Sequence, residues 1–243
     1  MKLSIVLPCY NEAENVVRIP QELMPYLAEI GYEYEIILVD DGSADETVGA
    51  AERLGIEKMK IVRHPKNMGP GRAFMTAIEN MESDLCVFLD ADFTFHPRYI
   101  KDLLVRFNQG DVDFVGGSPR LAKEGEYRIW WRDLISDAAN FVYKILFGSE
   151  VTTSTGFFRL YVSKDLKELD LEASGFNISA EILYKLLLKG KHYAEVPVPL
   201  TTREFGQSKL NYKKEVLNHI KLLTRILFQR FRFRQKYGKK DSN

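Results

Sequence analysis

Apolar runs of strand length alternate with segments of helical period through the first half of the chain, and this alternation limits the fold more than any other feature. The strand-like runs occupy residues 3–10, 34–41, 59–65 and 84–92. One amphipathic helix is predicted after the first run, and a further helix after the second and the third. Repeated strand–helix–strand units of this kind produce a mostly parallel sheet. The sequence therefore predicts an α/β fold in which helices flank a mostly parallel central sheet.

The second half of the chain is less regular but continues the same pattern. Its predicted strands and helices cover residues 113–120, 127–148, 153–161, 179–190 and 192–204. The sequence contains no repeat, low-complexity tract or linker that would mark a domain boundary. We therefore predict one domain over residues 1–215, followed by an amphipathic, basic helix and tail over residues 216–243.

Charge and cysteine content limit the partners and the compartment. Lysine plus arginine equals aspartate plus glutamate at 34 each, so no net charge attracts nucleic acid, and none is expected as a partner. Cys9 and Cys86 lie in apolar strand-like runs, which is typical of reduced, buried thiols in the cytosol. No apolar run approaches the roughly eighteen residues of a membrane span. We expect a cytoplasmic protein that is soluble or peripheral to a membrane.

Acidic residues follow three of the predicted strands, at the positions where open α/β sheets bind ligands. Glu12 follows the first strand, Asp40 and Asp41 the second, and Asp90 and Asp92 the fourth. Two aspartates spaced as D-x-D after a strand can share Mg²⁺ or Mn²⁺, and such a cation neutralises a diphosphate. A single D-x-D is a weak signal, but the aspartates at a neighbouring strand end strengthen it. The pattern indicates a metal-dependent nucleotide-sugar site.

Seven short blocks occur in the same order as in a known enzyme family. They read IVLPCYNEAENV, ILVDDGSADET, KNMGPGRA, FLDADFTFHP, GGSPR, TGFF and REFGQSKL, within residues 1–212. On these blocks the chain resembles the family 2 glycosyltransferases with the GT-A fold, and within them the dolichol-phosphate mannosyltransferase group. The ordered agreement is specific for the family and less specific for the sugar or the acceptor.

The resemblance implies roles for individual residues. The implied nucleotide-sugar site comprises Pro8, Tyr10, Glu12, Val39, Asp40, Asp41, Asp90, Ala91, Asp92, Arg120, Arg203, Ser208 and Lys209. Within that site, Asp90 and Asp92 would hold Mg²⁺ or Mn²⁺. The residues implied at the acceptor phosphate are Arg120, Arg132 and Ser136. The residues implied in catalysis are Asp92, Arg120 and Arg132.

The same resemblance implies a reaction. A hexose, mannose or glucose, passes from a GDP- or UDP-sugar to a dolichyl or polyprenyl phosphate with inversion, at the cytosolic face of a membrane. A phosphate acceptor is already anionic and needs no strong general base. Two alternatives stay open. One is transfer to a hydroxyl of a glycan or lipid, which requires a base that we do not find in the sequence. The other is a nucleotide-binding module without catalytic activity.

Several positions depart from the family pattern. Thr94 stands where the mannosyltransferases usually carry glutamine, and Asn177 stands where a lysine is frequent. Before the TGFF block, Thr152 and Thr153 replace an acid and a proline. These differences bear on the identity of the sugar and the nucleotide more than on the fold or the reaction class.

Other polar residues have ordinary interpretations. Asn11 and Glu12 are typical helix caps, and Glu181 is typical of a carboxylate on a helix surface. His64 and His96 have no second histidine or cysteine at the spacing of metal ligands. We therefore expect each histidine to end a strand or lie in a loop.

The C-terminal segment combines an apolar stripe with a basic edge. The stripe is formed by Leu217, Ile220, Leu223, Leu227 and Phe231. The basic residues around it are Lys221, Arg225, Arg230, Arg232 and Arg234. This pattern suits a helix at a membrane surface, and it equally suits a helix packed on the domain with a solvated tail. A membrane surface and a membrane subunit are therefore both candidate partners.

Overall fold

The computed structural model describes residues 1–122, 141, 144–145, 151–205, 217–218, 221–222 and 224. The strands are β1 (Lys2–Cys9), β2 (Glu33–Asp40), β3 (Met59–Arg63), β4 (Leu85–Phe88), β5 (Phe114–Ser118), β6 (Arg159–Val162) and β7 (Tyr193–Pro197). The helices are α1 (Ala13–Val16), α2 (Ile19–Glu22), α3 (Met24–Glu29), α4 (Thr47–Arg53), α5 (Pro70–Asn80), α6 (Ile100–Phe107), α7 (Ser163–Lys167) and α8 (Ile178–Leu188).

The seven strands form one sheet in the order β3-β2-β1-β4-β6-β5-β7. Among these seven, only β6 runs antiparallel to its neighbours, so the predicted mostly parallel sheet is confirmed. The last pair between β1 and β2 joins Cys9 to Asp40, and the last pair between β1 and β4 joins Val6 to Phe88. The carboxyl ends of these three strands therefore meet at one edge of the sheet.

Both faces of the sheet are covered, as parallel sheets require. Residues 3–7 of β1 are all fully buried, which explains why this strand is apolar almost throughout. Ile5 belongs to a core cluster formed with α1, α2 and α6. Val6 belongs to a second cluster formed with α5 and α8 on the opposite face. The polar loops at the carboxyl edge are thus carried by a rigid, buried scaffold.

The segment after β1 differs from the single helix predicted. It forms the three short helices α1 to α3, because Pro20 and Pro25 lack the backbone N–H that a continuing helix would donate. Glu12 occupies the predicted N-cap position of α1, but its side chain makes no capping hydrogen bond. Asn11 instead adopts a positive φ of 53°, and its Oδ1 accepts a hydrogen bond from Ala44 N at 2.8 Å. Asn11 therefore ties the loop after β1 to the loop after β2.

The described residues also bear on membrane-spanning helices and on the two cysteines. In this part of the chain, no helix has the length and apolar content needed to cross a bilayer. Cys9 and Cys86 are both buried and form no disulfide, as predicted. Burial raises the pKa of the Cys86 thiol to about 12, so this thiol stays protonated.

Candidate functional site

An open cleft of about 710 Å³ lies beyond the carboxyl ends of β1, β2 and β4. Four separate stretches of sequence contribute predicted site residues to its lining. These residues are Pro8, Tyr10, Glu12, Asp41, Asp90, Ala91, Asp92 and Arg203. The fold therefore gathers acidic groups and one arginine at the sheet edge where α/β proteins bind ligands.

Two other predicted residues at the end of β2 are buried away from the cleft lining. Val39 is fully buried in the core, and Asp40 is also fully buried. The Asp40 carboxylate accepts a hydrogen bond from Ser43 N at 3.3 Å and lies 3.4 Å from Arg63 Nε. Asp40 thus shapes the loop after β2.

Arg120 belongs to the described residues, whereas four further predicted site residues do not. Arg120 follows β5 and is half-buried, and its backbone N–H donates to Ser118 Oγ at 3.2 Å. It is not among the described residues that line the cleft. The positions outside the described residues are Arg132, Ser136, Ser208 and Lys209.

The turn after β4 presents Asp90 and Asp92 to the cleft. Phe93 has a positive φ of 55° and donates its backbone N–H to Asp90 O at 3.0 Å, which closes the turn. Thr94 donates both its backbone N–H and its hydroxyl to Asp92 Oδ1, at 3.1 and 3.0 Å. The other oxygen, Oδ2, lies 3.4 Å from Arg203 Nη1. Thr94 therefore orients the Asp92 carboxylate.

Asp90 is the electrostatically unusual group of the cleft. Removal from water raises its pKa to about 7, and the neighbouring Asp92 carboxylate adds to this effect. Two carboxylates at this spacing suit Mg²⁺ or Mn²⁺, whose other ligands are water and substrate phosphates. The described residues contain no group of three acidic, histidine or cysteine side chains that could enclose a cation. As two oxygen ligands in the cleft lining, Asp90 and Asp92 fit a cation that a phosphorylated ligand also coordinates.

Arg203 bridges the acidic groups across the cleft. Its Nη2 donates to both oxygens of Glu12, at 2.6 and 2.8 Å, while Nη1 faces Asp92. Its Nε donates to Phe205 O at 2.7 Å, and Asn15 Nδ2 donates to Glu12 Oε2 at 2.6 Å. The bridge places one guanidinium between two carboxylates, where an anionic ligand can compete for it.

The wall opposite the β4 turn is a loop held by Asp41. Asp41 Oδ1 accepts a hydrogen bond from Met68 N, and Oδ2 accepts one from Gly69 N, both at 2.8 Å. Gly69 has a φ of 93°, and a side chain there would collide with the Ser174 carbonyl. Gly71 N donates to the same carbonyl at 3.1 Å. The glycines of the KNMGPGRA block therefore allow two backbone segments to meet at the cleft.

Comparison with known proteins decides the family. The family model "Glycosyl transferase family 2" matches residues 4–170. The chain belongs to glycosyl transferase family 2. It is 34% identical over 231 residues to the dolichol-phosphate mannosyltransferase of Pyrococcus furiosus, covering 90% of this chain and 63% of that protein. The chain thus spans less than two thirds of the length of that relative.

A second relative and two solved structures extend the comparison. The polyprenol monophosphomannose synthase of Mycolicibacterium smegmatis is 28% identical over 218 residues, covering 85% of this chain and 80% of that protein. Glucosyl-3-phosphoglycerate synthase of Mycobacterium tuberculosis, in complex with Mn²⁺, UDP and phosphoglyceric acid, superposes with a TM-score of 0.71 at 19% identity. That match covers 94% of this chain and 78% of the other. Its complex with Mg²⁺ and UDP gives a TM-score of 0.70 at 18% identity, covering 94% of this chain and 79% of the other. These likenesses confirm the predicted GT-A fold.

In this family 2 domain, a buried carboxylate fixes a further wall of the cleft. Glu181 in α8 is fully buried, so the predicted surface position is wrong. Its oxygens accept hydrogen bonds from Ala173 N at 2.7 Å and Glu172 N at 3.1 Å, and Lys185 Nζ lies 2.7 Å away. The held segment continues into residues 174–176 of the cleft lining. Apolar residues on every face of α8, with a lysine one turn after the glutamate, were the signal for this burial.

The family 2 TGFF block is supported by a polar network that the sequence did not reveal. Glu195 of β7 accepts hydrogen bonds from Thr152 N at 2.9 Å and Thr153 N at 3.0 Å. The buried Arg159 donates to the Thr153 carbonyl. These contacts hold the strand entry next to residues 155–157, which line the cleft. No local pattern joins residues about forty positions apart, so only the fold could show this pairing.

Proposed function

We propose that the protein is an inverting glycosyltransferase that moves a hexose, mannose or glucose, from a GDP- or UDP-sugar to a dolichyl or polyprenyl phosphate. The observation that carries the proposal is the Asp90–Asp92 pair facing Arg203 in one cleft of a family 2 domain. The names of the two relatives, a dolichol-phosphate mannosyltransferase and a polyprenol monophosphomannose synthase, support the acceptor class.

We assign the donor to the cleft as follows. The nucleoside part lies along Pro8, Tyr10 and Asp41, and Ala91 packs beside it. Asp90 and Asp92 would hold Mg²⁺ or Mn²⁺, which when bound neutralises the diphosphate and the charge that grows on it as it leaves. The complexes of the M. tuberculosis enzyme with Mn²⁺ or Mg²⁺ and UDP support this choice of cation and ligand.

Donor binding changes the partners of Arg203. In the described arrangement its guanidinium is shared between Glu12 and Asp92. A diphosphate is a bidentate anion that competes with a carboxylate for such a group. Arg203 therefore turns towards the donor phosphates, and we propose that Ser208 and Lys209 on the same segment contact them as well.

The acceptor phosphate attacks the sugar directly. We assign Arg120, Arg132 and Ser136 to this phosphate, and Arg120 and Arg132 to the charge that builds up during transfer. A phosphate oxygen forms the new bond to the anomeric carbon while the bond to the nucleoside diphosphate breaks on the opposite face. Because the acceptor is already anionic, no side chain must remove a proton. Attack on the face opposite the leaving group inverts the configuration at the anomeric carbon.

We propose that the protein works at the cytosolic face of a membrane, where polyprenyl phosphates are reached. The terminal segment 216–243 contributes to this contact. Within its described residues, Leu222 is 3% exposed, while Leu217, a member of the predicted apolar stripe, is 58% exposed. An exposed leucine at this position suits contact with a lipid surface or a membrane subunit.

The test is transfer of labelled hexose from GDP-mannose, GDP-glucose, UDP-glucose and UDP-mannose to polyprenyl phosphate, with Mn²⁺, with Mg²⁺ and with a chelator. We expect label in the lipid phase from one of these donors and its loss with the chelator. The isosteric variant Asp92→Asn serves as the matched negative control. Donor consumption without labelled lipid, or labelling unaffected by the chelator, would contradict the proposal.

A further inference from the structure

His64 is a buried histidine that contacts the cleft wall from behind. It follows β3, is 6% exposed, and is not among the described residues that line the cleft. Its Nδ1 lies 2.7 Å from Asp41 Oδ1, and its Nε2 lies 2.9 Å from Thr76 Oγ1 in α5. The backbone is fixed too, because His64 N donates to Asp40 O at 2.8 Å.

The two ring contacts set the tautomer of His64. An ionised carboxylate can only accept hydrogen bonds, so Nδ1 carries the proton that is donated to Asp41. In the neutral ring, Nε2 then accepts the hydroxyl proton of Thr76. The imidazole is thus held on both sides and has one orientation towards the carboxylate.

This contact determines how much of the Asp41 carboxylate remains for a ligand. Oδ1 accepts hydrogen bonds from both His64 Nδ1 and Met68 N, while Oδ2 accepts one from Gly69 N. A carboxylate oxygen has about two lone-pair sites. Oδ1 is therefore filled, and Oδ2 retains at most one site. Since Asp41 lines the cleft, its ligand-facing acceptor is that single site on Oδ2.

We propose that His64 is a positioning residue for the donor nucleotide. By holding Asp41 Oδ1, it turns Oδ2 towards the cleft to accept one N–H or O–H from the nucleoside. The inference rests on the proposed function, because it takes the nucleoside as the ligand of Asp41. His64 touches neither the nucleotide nor the reacting atoms, so its effect passes through Asp41 alone.

The test measures nucleotide affinity by calorimetry with UDP and with GDP in the presence of Mn²⁺. For the nucleotide that the wild type binds, His64→Ala is expected to weaken affinity about tenfold, as loss of a hydrogen bond to a charged group does. His64→Asn is expected to stay within about threefold, since its amide N–H₂ replaces Nδ1 as a donor. Donor KM should rise in His64→Ala while kcat stays within about twofold.

Two further variants separate positioning from simple loss of packing. Thr76→Val removes only the far contact of the ring, and we expect nucleotide affinity within about threefold of the wild type. In His64→Gln the side-chain amide lies near the position of Nε2, so the contact with Thr76 is kept and the contact with Asp41 is lost. We expect this variant to bind the nucleotide several-fold more weakly than His64→Asn. The Gln and Asn pair decides the case even if His64→Ala does not fold.

Three results would overturn the inference. His64→Asn could bind as weakly as His64→Ala, Thr76→Val could bind as weakly as His64→Ala, or folded His64→Ala could bind with unchanged affinity. A wild type that binds neither UDP nor GDP would instead refute the proposed function, and the inference would fall with it.

Discussion

Two acidic strand ends lie at the same edge of the sheet and are built in opposite ways. After β2, the protein itself engages the carboxylates, because Asp41 accepts hydrogen bonds from two backbone amides and from His64. After β4, Asp90 is half-buried in the cleft lining beside a second carboxylate, and burial raises its pKa to about 7. The two ends have similar sequences, D-D and D-A-D, but different electrostatic situations.

The difference teaches which acidic group is prepared for a ligand. A carboxylate that accepts hydrogen bonds from two backbone N–H groups and a histidine organises a loop, and most of its acceptor sites are already used. A carboxylate left desolvated next to a like charge raises the energy of the folded protein until a cation arrives. The β2 end is therefore mainly architectural, and the β4 end is the candidate centre of metal and diphosphate binding.

The largest expected effect comes from removing the β4 carboxylate that Thr94 orients. Asp92→Ala should reduce hexose transfer by about 10²–10³-fold or more, because stabilisation of the leaving diphosphate is lost. The fold should persist, since Asp92 lies in a turn and outside the core clusters. Steady-state transfer rates and thermal melting check both parts. Full activity in a folded Asp92→Ala variant would remove the metal assignment.

Stability should respond differently to an Asp→Asn change at the two strand ends. Asp41→Asn replaces one carboxylate oxygen by an amide N–H₂ group, so either Met68 N or Gly69 N loses its acceptor and faces a donor, and we expect a loss of about 2–3 kcal/mol in the free energy of unfolding. Asp90→Asn removes a desolvated charge, so we expect no loss of stability at pH 8 without metal. Urea denaturation measures both values. Equal destabilisation by the two variants would break the comparison.

A smaller effect is expected from the contact that orients Asp92. Thr94→Val removes the hydroxyl donor to Asp92 Oδ1 and leaves the backbone donor in place. Loss of such a supporting contact weakens metal binding by about tenfold. Titration with Mn²⁺ in the presence of the bound nucleotide measures this change, and Thr94→Ser is the matched control. The assignment of Thr94 is wrong if Val and Ser variants bind Mn²⁺ alike.

The last expected effect concerns stability without any ligand, which should depend on pH. The pKa of Asp90 rises from 3.8 to about 7 on folding, so the folded protein binds more protons than the unfolded chain between these values. Without metal, this group therefore makes stability fall as pH rises through that window. Metal binding should show the opposite trend, since it needs the deprotonated carboxylate. Asp90→Asn should flatten the stability slope, and an unchanged slope would contradict the shifted pKa.

Local patterns in the sequence predicted the sheet, because β-strand runs and helical periods depend on neighbouring residues. The strand-end rule also selected Glu12, Asp41, Asp90 and Asp92, which meet in the cleft. Long-range contacts were not predictable in this way. The apolar faces of α8 could have indicated that Glu181 is buried, but not its partners, because the segment that it holds lies eight or nine residues earlier in a loop without a pattern.

Proline placement and His64 show two further limits of sequence reasoning. The segment after β1 was predicted as one amphipathic helix, yet the missing N–H groups of Pro20 and Pro25 divide it. His64 does follow a strand as expected, but its partners Asp41 and Thr76 come from two other elements. Only the folded chain brings these three together.

The most direct test of the contrast between the strand ends is binding of Mn²⁺, measured by electron paramagnetic resonance in the presence of UDP or GDP. Wild type, Asp92→Asn and Asp40→Asn form the matched set, since each variant replaces one carboxylate by an isosteric amide. We predict that Asp92→Asn loses Mn²⁺ binding while Asp40→Asn retains it. Loss in Asp40→Asn with retention in Asp92→Asn would place the cation at the other strand end and contradict the account.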